Sequence, residues 1–190
     1  MTHDDHLALL RPGLEGRVGQ GGVWADLGAG SGAFTRALAD LLGPSAVIYA
    51  VDRDARALRG LAASVVPGFP RVSIIHGDFA REVSLPPLDG ILMANSLHFH
   101  GDACALLLHA ARWLKPNGVL ILVEYDIETP SIWVPHPLPW ARFPAAAKCA
   151  GLTGARLLGT RPSAYHRRVY SAAADVPRKA ADPASGANAS

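Results

Sequence analysis

Two kinds of segment alternate along the chain. Short, nearly continuous apolar or β-branched runs occupy 23–27 (VWADL), 47–52 (VIYAVD), 72–76 (VSIIH), 90–94 (GILMA) and 119–125 (VLILVEY). Runs without polar alternation suit strands buried on both faces, as in a parallel sheet. The stretches between them carry helical spacing. Phe34, Leu38, Leu41 and Leu42 share one face of a helix that Gly43-Pro44 stops. Leu58, Leu61 and Val65 mark a second helix, and Leu106, Leu107, Ala110 and Leu114 a third. Asp102 suits the N-cap of that third helix, and Lys115-Pro116-Asn117-Gly118 its stop. The crossover over 77–88 is short and holds Pro86-Pro87, which leaves room for one helical turn or none. Repeated strand–helix–strand units with right-handed crossovers predict a doubly wound α/β sheet.

Past Tyr125 the rhythm breaks. A loop over 127–140 is rich in Pro and aromatic residues, and Leu7–Leu14 at the other end supplies one short helix. A helix over 141–149 ends at Gly151, and strand-like runs at 155–159 and 168–173 flank a turn at Arg161-Pro162-Ser163. So short a connection permits only antiparallel pairing. Residues 175–190 lack periodicity and are rich in Ala, Pro, Ser and Gly, which predicts a disordered tail. The expected organisation is a short N-terminal segment (1–20), one domain (21–174) and that tail.

A chain of 190 residues, 49% hydrophobic, has enough apolar material for one well-formed core. Its formal charge of +2 and the absence of a basic stripe argue against a nucleic-acid partner. Cys104 and Cys149 fall in apolar helical stretches, and the expectation is neither a disulfide framework nor a metal knuckle. No apolar run nears the roughly 18 residues a bilayer span requires, and the N-terminus lacks a signal-peptide layout. The expectation is a cytoplasmic protein with no membrane partner.

Three places concentrate chemistry. Asp26-Leu27-Gly28-Ala29-Gly30-Ser31-Gly32-Ala33 sits between a strand and a helix. Glycines there let a ligand approach bare backbone beside outward-pointing N–H groups. Gly28-x-Gly30-x-x-Ala33 also satisfies a dinucleotide fingerprint, so this loop alone leaves a nicotinamide-dependent oxidoreductase open. Asp52 ends the second strand, where a carboxylate reaches a ribose over the glycine loop; capping the next helix is the plainer alternative. Asp78-Phe79, after the third strand, suits an adenine ring, the carboxylate taking its amine and the phenyl covering a face. A nicotinamide enzyme also needs a substrate domain, for which few residues remain.

Taken together, WADLGAGSGAF, AVDRD, HGDF, LDGILMANSLHFH and LKPNGVLILVEYD resemble, in order and spacing, the motifs of class I S-adenosylmethionine (SAM)-dependent methyltransferases. The resemblance covers about residues 20–173. It implies a Rossmann-like, mostly parallel seven-stranded sheet of order 3-2-1-4-5-7-6 with an antiparallel C-terminal hairpin. It also implies S-adenosyl-L-methionine as cofactor. Asp26, Gly28, Gly30 and Gly32 would hold its methionine portion, Asp52 with Arg53 its ribose, Asp78 and Phe79 its adenine. Asn95 would lie near the sulfonium.

Two departures from the family pattern stand out. Only about twenty residues precede the first strand, so the site is either open or covered by a second copy or another partner. The fourth strand ends in Asn95-Ser96-Leu97-His98, without the Pro-Pro-aromatic run of many nucleic-acid amine methyltransferases. A small-molecule acceptor follows as the expectation, with transfer by in-line displacement. Bases on the sheet's C-terminal edge are His98 first, then His100, Glu124 and Tyr125; His98 and Tyr125 are the catalytic candidates. A packing role for His98 is the plain alternative. A metal at His98, His100 and Asp102 lacks a fourth ligand. Trp133, His136 and Trp140 on the Pro-stiffened loop are the acceptor-recognition candidates, unless the tryptophans simply cover the sheet. Arg156, Arg161, Arg167 and Arg168 read as a solvated basic face. The rival reading is a non-catalytic SAM- or nucleoside-binding subunit that needs a partner.

Overall fold

Successive residues of a strand point to opposite faces, so an uninterrupted apolar run needs cover on both sides. The computed structural model, which describes residues 1–64, 70–81, 83–163 and 168–177, supplies that cover. Strands β1 (Gly22–Leu27), β2 (Ala46–Asp52), β3 (Arg71–His76), β4 (Leu88–Ala94), β5 (Leu114–Tyr125), β6 (Thr153–Pro162) and β7 (Arg168–Asp175) form one sheet of order β3-β2-β1-β4-β5-β7-β6. The first five pair in parallel, and β7 runs antiparallel to both β5 and β6.

Helices α1 (His3–Leu10) and α2 (Ala33–Leu42) cover one face, where Leu9, Leu10, Phe34 and Leu38 pack on Trp24, Ile48, Ile121 and Val123. Helices α4 (Ala103–Ala111) and α5 (Phe143–Cys149) cover the other, where Leu106, Leu107, Phe143 and Ala147 meet Leu27, Ile91, Leu120, Leu122 and Tyr170. Neighbours in β5 therefore serve different cores, which is why that strand reads as unbroken Val-Leu-Ile-Leu-Val. Helix α3 (Ala55–Ser64) adds a smaller cluster through Leu58 and Leu61. The predicted end signals operate: Gly43, at φ +81°, donates to the Ala39 carbonyl, and the Asp102 carboxylate accepts from the Ala105 N–H at 2.9 Å.

Several boundaries differ from expectation. Helix α1 starts at His3, not Leu7, because Thr2 and Asp5 form a reciprocal capping box, and a 3-10 turn over Arg11–Leu14 continues it. Helix α4 stops at Ala111, and Leu114 with the Lys-Pro-Asn-Gly stretch joins β5. Arg161 and Pro162 belong to β6 rather than to a turn. Strand β7 includes Asp175, and Val176 donates to the Gly118 carbonyl at 2.9 Å, so ordered chain passes the expected boundary. No helix is present among the described residues of 77–88. Val65, Arg167 and the tail from residue 178 lie outside the described residues.

The cysteine expectation is overturned. Cys104 on α4 and Cys149 on α5 form a disulfide, with Cα atoms 5.7 Å apart. Separated by 45 residues, they meet only because both helices pack side by side on the same sheet face. No helix among the described residues is long and apolar enough to cross a membrane.

Candidate functional site

The carboxyl ends of β1, β2 and β4 and the loop after β3 open into one cleft of about 240 Å³. A cleft at this edge of an open α/β sheet is where ligands of such folds bind. Its wall includes Gly28, Gly30, Asp52, Arg53, Asp78, Phe79 and Asn95, seven of the nine residues expected to hold a cofactor. Gly77, Ser96, Phe99 and His100 complete it.

The glycine loop turns back over β2 by hydrogen bonds from the Gly28 and Ala29 N–H groups to the Val51 carbonyl, at 2.8 and 3.0 Å. Gly28 sits at φ +87°, and a Cβ there would lie 2.3 Å from that of Ser96, so only glycine lets the β1 and β4 ends approach so closely. The Asp52 carboxylate braces the same loop. Its Oδ2 accepts from the Gly30 N–H at 2.7 Å and its Oδ1 from the Asp54 N–H at 2.8 Å. Each oxygen keeps capacity for a further donor from the cleft. Asp78 caps its own turn by accepting from the Ala80 N–H at 2.9 Å. Phe79 is nearly buried, its ring 5.4 Å from that of His100.

Asp26 and Gly32 do not line the cleft. Gly32 is the left-handed N-cap of α2 and lies against Leu61. Asp26 is wholly buried behind the loop and accepts from the Thr35 hydroxyl through Oδ2 at 2.6 Å, while its Oδ1 has no partner. Burial pushes its pKa up to about 7 against the opposing Thr35 bond, with the nearby Asp52 charge adding to the rise. Asn95 adopts φ +53°, and its side-chain Oδ1 is also buried without a partner. Two unsatisfied acceptors at the ends of β1 and β4 are costly unless a donor completes them.

The two expected catalytic side chains turn away. His98 is 2% exposed, and its Nδ1 lies 2.6 Å from Glu124 Oε2. The two side chains are thus joined directly in the interior, away from solvent. Glu124, fully buried on β5, also accepts from the Leu97 and His98 backbone N–H groups at 3.1 and 3.2 Å. Neither residue, nor Tyr125 with its ring 5.9 Å from that of His98, reaches the cleft or the cavity beside it. The physical reason is a 3-10 turn over Leu97–Phe99, which points His98 into the protein and leaves His100, two residues on, in the cleft wall. Burial holds the His100 pKa below the ordinary imidazole range, with Asp78 opposing.

A second cavity of about 290 Å³ adjoins the cleft, and His100 lines both. Gly101, Glu128, His136, Leu138 and Arg142 contribute to its wall. Of the three loop residues expected to recognise an acceptor, only His136 is among them. Its backbone N–H donates to the His98 carbonyl at 3.0 Å, docking the loop on the β4 end. Trp133 is 74% exposed, whereas Trp140 packs into the core beside Phe143 and Tyr170. The C-terminal arginines are paired: Arg156 with Asp175, Arg161 with Asp5 and Arg168 with Asp126. Sequence reasoning missed Ser96 and Arg142. No local pattern marks Ser96, and Arg142 enters only through the path of the loop before α5. No group of three or more His, Cys, Asp or Glu among the described residues is placed to hold a metal ion.

A family profile described as "Methyltransferase domain" matches residues 25–118. A trans-aconitate 2-methyltransferase from an Azoarcus species is 30% identical over 142 residues, covering 73% of this chain and 51% of that protein. A ribosomal RNA small subunit methyltransferase H from Acinetobacter baumannii is 38% identical over 77 residues, covering 37% of this chain and 25% of that protein. The chain thus spans about half or less of the length of these curated relatives. Among solved structures, the N-methyltransferase NodS from Bradyrhizobium japonicum superposes with a TM-score of 0.70 at 17% identity, covering 92% of this chain and 96% of that one.

Proposed function

Since this chain belongs to the class I SAM-dependent methyltransferases, we propose that it binds S-adenosylmethionine in the glycine-lined cleft and methylates a small molecule held in the adjoining cavity. The observation that carries this reading is the convergence of a bare glycine loop, Asp52 and the Asp78-Phe79 pair on one cleft, backed by two buried acceptors that lack donors.

In this reading Gly28 and Gly30 leave backbone exposed to the methionine portion, and Asp26, buried behind the loop, acts on that portion through the loop it backs rather than by contact. Asp52 accepts from the ribose hydroxyls while staying anchored to the Gly30 and Asp54 N–H groups, with Arg53 beside it. Asp78 takes the adenine amine and Phe79 covers a ring face. Asn95 presents oxygen near the sulfonium. The cofactor supplies an activated methyl group, so the protein's task is alignment and exclusion of water. His100, neutral at pH 7 because burial lowers its pKa, accepts the acceptor's proton where one must leave. His98 and Glu124 hold the loop that carries Asn95, Ser96 and His100.

The small-molecule assignment is supported by the small size of the second cavity, by the paired state of three C-terminal arginines and by the trans-aconitate relative. The RNA-directed relative covers only a quarter of its own length here.

Calorimetric titration with SAM and S-adenosylhomocysteine, on wild type and Asp52→Ala, tests the site. Micromolar binding that Asp52→Ala weakens strongly is expected. No binding by folded wild type would sink the reading. Binding without transfer to any small molecule or RNA offered would instead favour a non-catalytic binding module.

A further inference from the structure

The second cavity has an ionisable lining unlike that of the cleft. Three of its four ionisable side chains carry nitrogen: His100 at the junction with the cleft, His136 on the Pro-rich loop, and Arg142 just before α5. The fourth, Glu128, is 71% exposed and lies 3.5 Å from an Arg142 Nη, too far for a good charge-assisted hydrogen bond. Arg142 is aimed by its own backbone: Nη2 donates to the Pro137 carbonyl at 3.0 Å, fixing the guanidinium at the wall while other N–H groups stay available. His136 is likewise held by its main-chain bond to the His98 carbonyl, with its ring against Gly101. An aimed guanidinium and an imidazole on one wall, with the only lining carboxylate 3.5 Å from Arg142, match the arrangement a ligand carboxylate would complete.

We propose that this cavity takes an acceptor bearing a carboxylate, which Arg142 binds with His136 as second donor, displacing Glu128. The inference rests on the methyltransferase reading above and names the substrate class of that same site. Glu128 occupies the place of the ligand's carboxylate when the cavity is empty and swings to solvent when it fills. The rest of the acceptor extends past His100 toward the cleft, which puts the reacting atom on the side opposite the anchored carboxylate. Arg142 is thus a specificity residue, and its loss affects acceptor affinity without touching cofactor affinity. A guanidinium holds a carboxylate in a fixed fork that neither lysine nor glutamine reproduces.

The test uses the whole chain saturated with S-adenosylhomocysteine and a panel of acid–neutral pairs: trans-aconitate with its trimethyl ester, benzoate with benzamide, and hexanoate with hexanamide. Calorimetry reads binding of each to wild type, Arg142→Gln, Arg142→Lys and Glu128→Gln. At least one acid is expected to bind saturably and ten-fold or more tighter than its neutral partner. Arg142→Gln should weaken that acid at least ten-fold, Arg142→Lys should recover part of the loss, and Glu128→Gln should tighten binding severalfold. All variants should keep the wild-type affinity for S-adenosylhomocysteine, which also shows that they are folded. Equal binding of acid and neutral partner, no saturable acid, or an Arg142→Gln protein that binds the acid as wild type does would each overturn the proposal. Failure of wild type to bind S-adenosylhomocysteine would instead overturn the methyltransferase reading beneath it.

Discussion

Burying the Asp26 carboxyl costs the cofactor-free protein stability, and Asp26→Asn should show how much. Its carboxyl is fully buried, has one hydrogen bond, from Thr35, and titrates at about 7 in place of 3.8. Between those values the native state keeps a proton that the unfolded chain has released, so stability must fall as pH rises through this window. The cost of ionising or holding that group comes to about 2 kcal/mol at pH 5 and about 4 kcal/mol at pH 8. Asparagine keeps an oxygen for the Thr35 hydroxyl and never ionises. The variant should therefore outlast wild type in urea, with an advantage about 3 kcal/mol greater at pH 8 than at pH 5. Urea unfolding of both proteins without cofactor, disulfide intact, measures this. An advantage that does not change with pH, or a variant less stable at pH 8, would refute the assignment of a strained buried carboxyl.

Three further outcomes follow from the same contacts. Glu124→Ala removes the acceptor for the Leu97 and His98 N–H groups and the partner of His98 Nδ1, all buried. A loss of about 3 kcal/mol or more is expected in chemical unfolding, at the usual cost of unsatisfied buried donors, with Glu124→Gln recovering part. Breaking the disulfide with Cys104→Ser, or reducing it with a phosphine, frees a loop spanning 45 residues and should cost about 2–4 kcal/mol, read as a lowered calorimetric midpoint. An unchanged midpoint would mean that the two helices hold each other without the bond. If His100 is the base, kcat/KM should fall as pH drops through a pKa below the ordinary value of about 6.5, and be level above pH 7. A limb that survives in His100→Asn assigns it to another group.

The cleft was largely legible in the sequence. Glycine at 28 and 30, an acid closing β2, and Asp78-Phe79 after β3 are local signals, each tied to the carboxyl end of a strand that hydrophobic runs had already delimited. Strand order also follows locally, because short connections and right-handed crossovers leave few topologies for five parallel strands and a terminal hairpin. Sequence periodicity does not report which way a side chain turns within a loop. His98 and His100 are equivalent in the string, and only the 3-10 turn between them sends one to Glu124 and the other to the cleft wall. Long-range meetings are equally silent. Cys104 finds Cys149 because α4 and α5 share a sheet face, and Arg142 reaches the second cavity because the loop before it docks on the end of β4. The sheet, the glycine loop and the acidic residues around it were thus written into the sequence, since each depends on neighbours within a few positions along the chain. The buried pair, the disulfide and the acceptor cavity were decided by tertiary packing, since each joins residues that only the folded sheet brings within bonding distance.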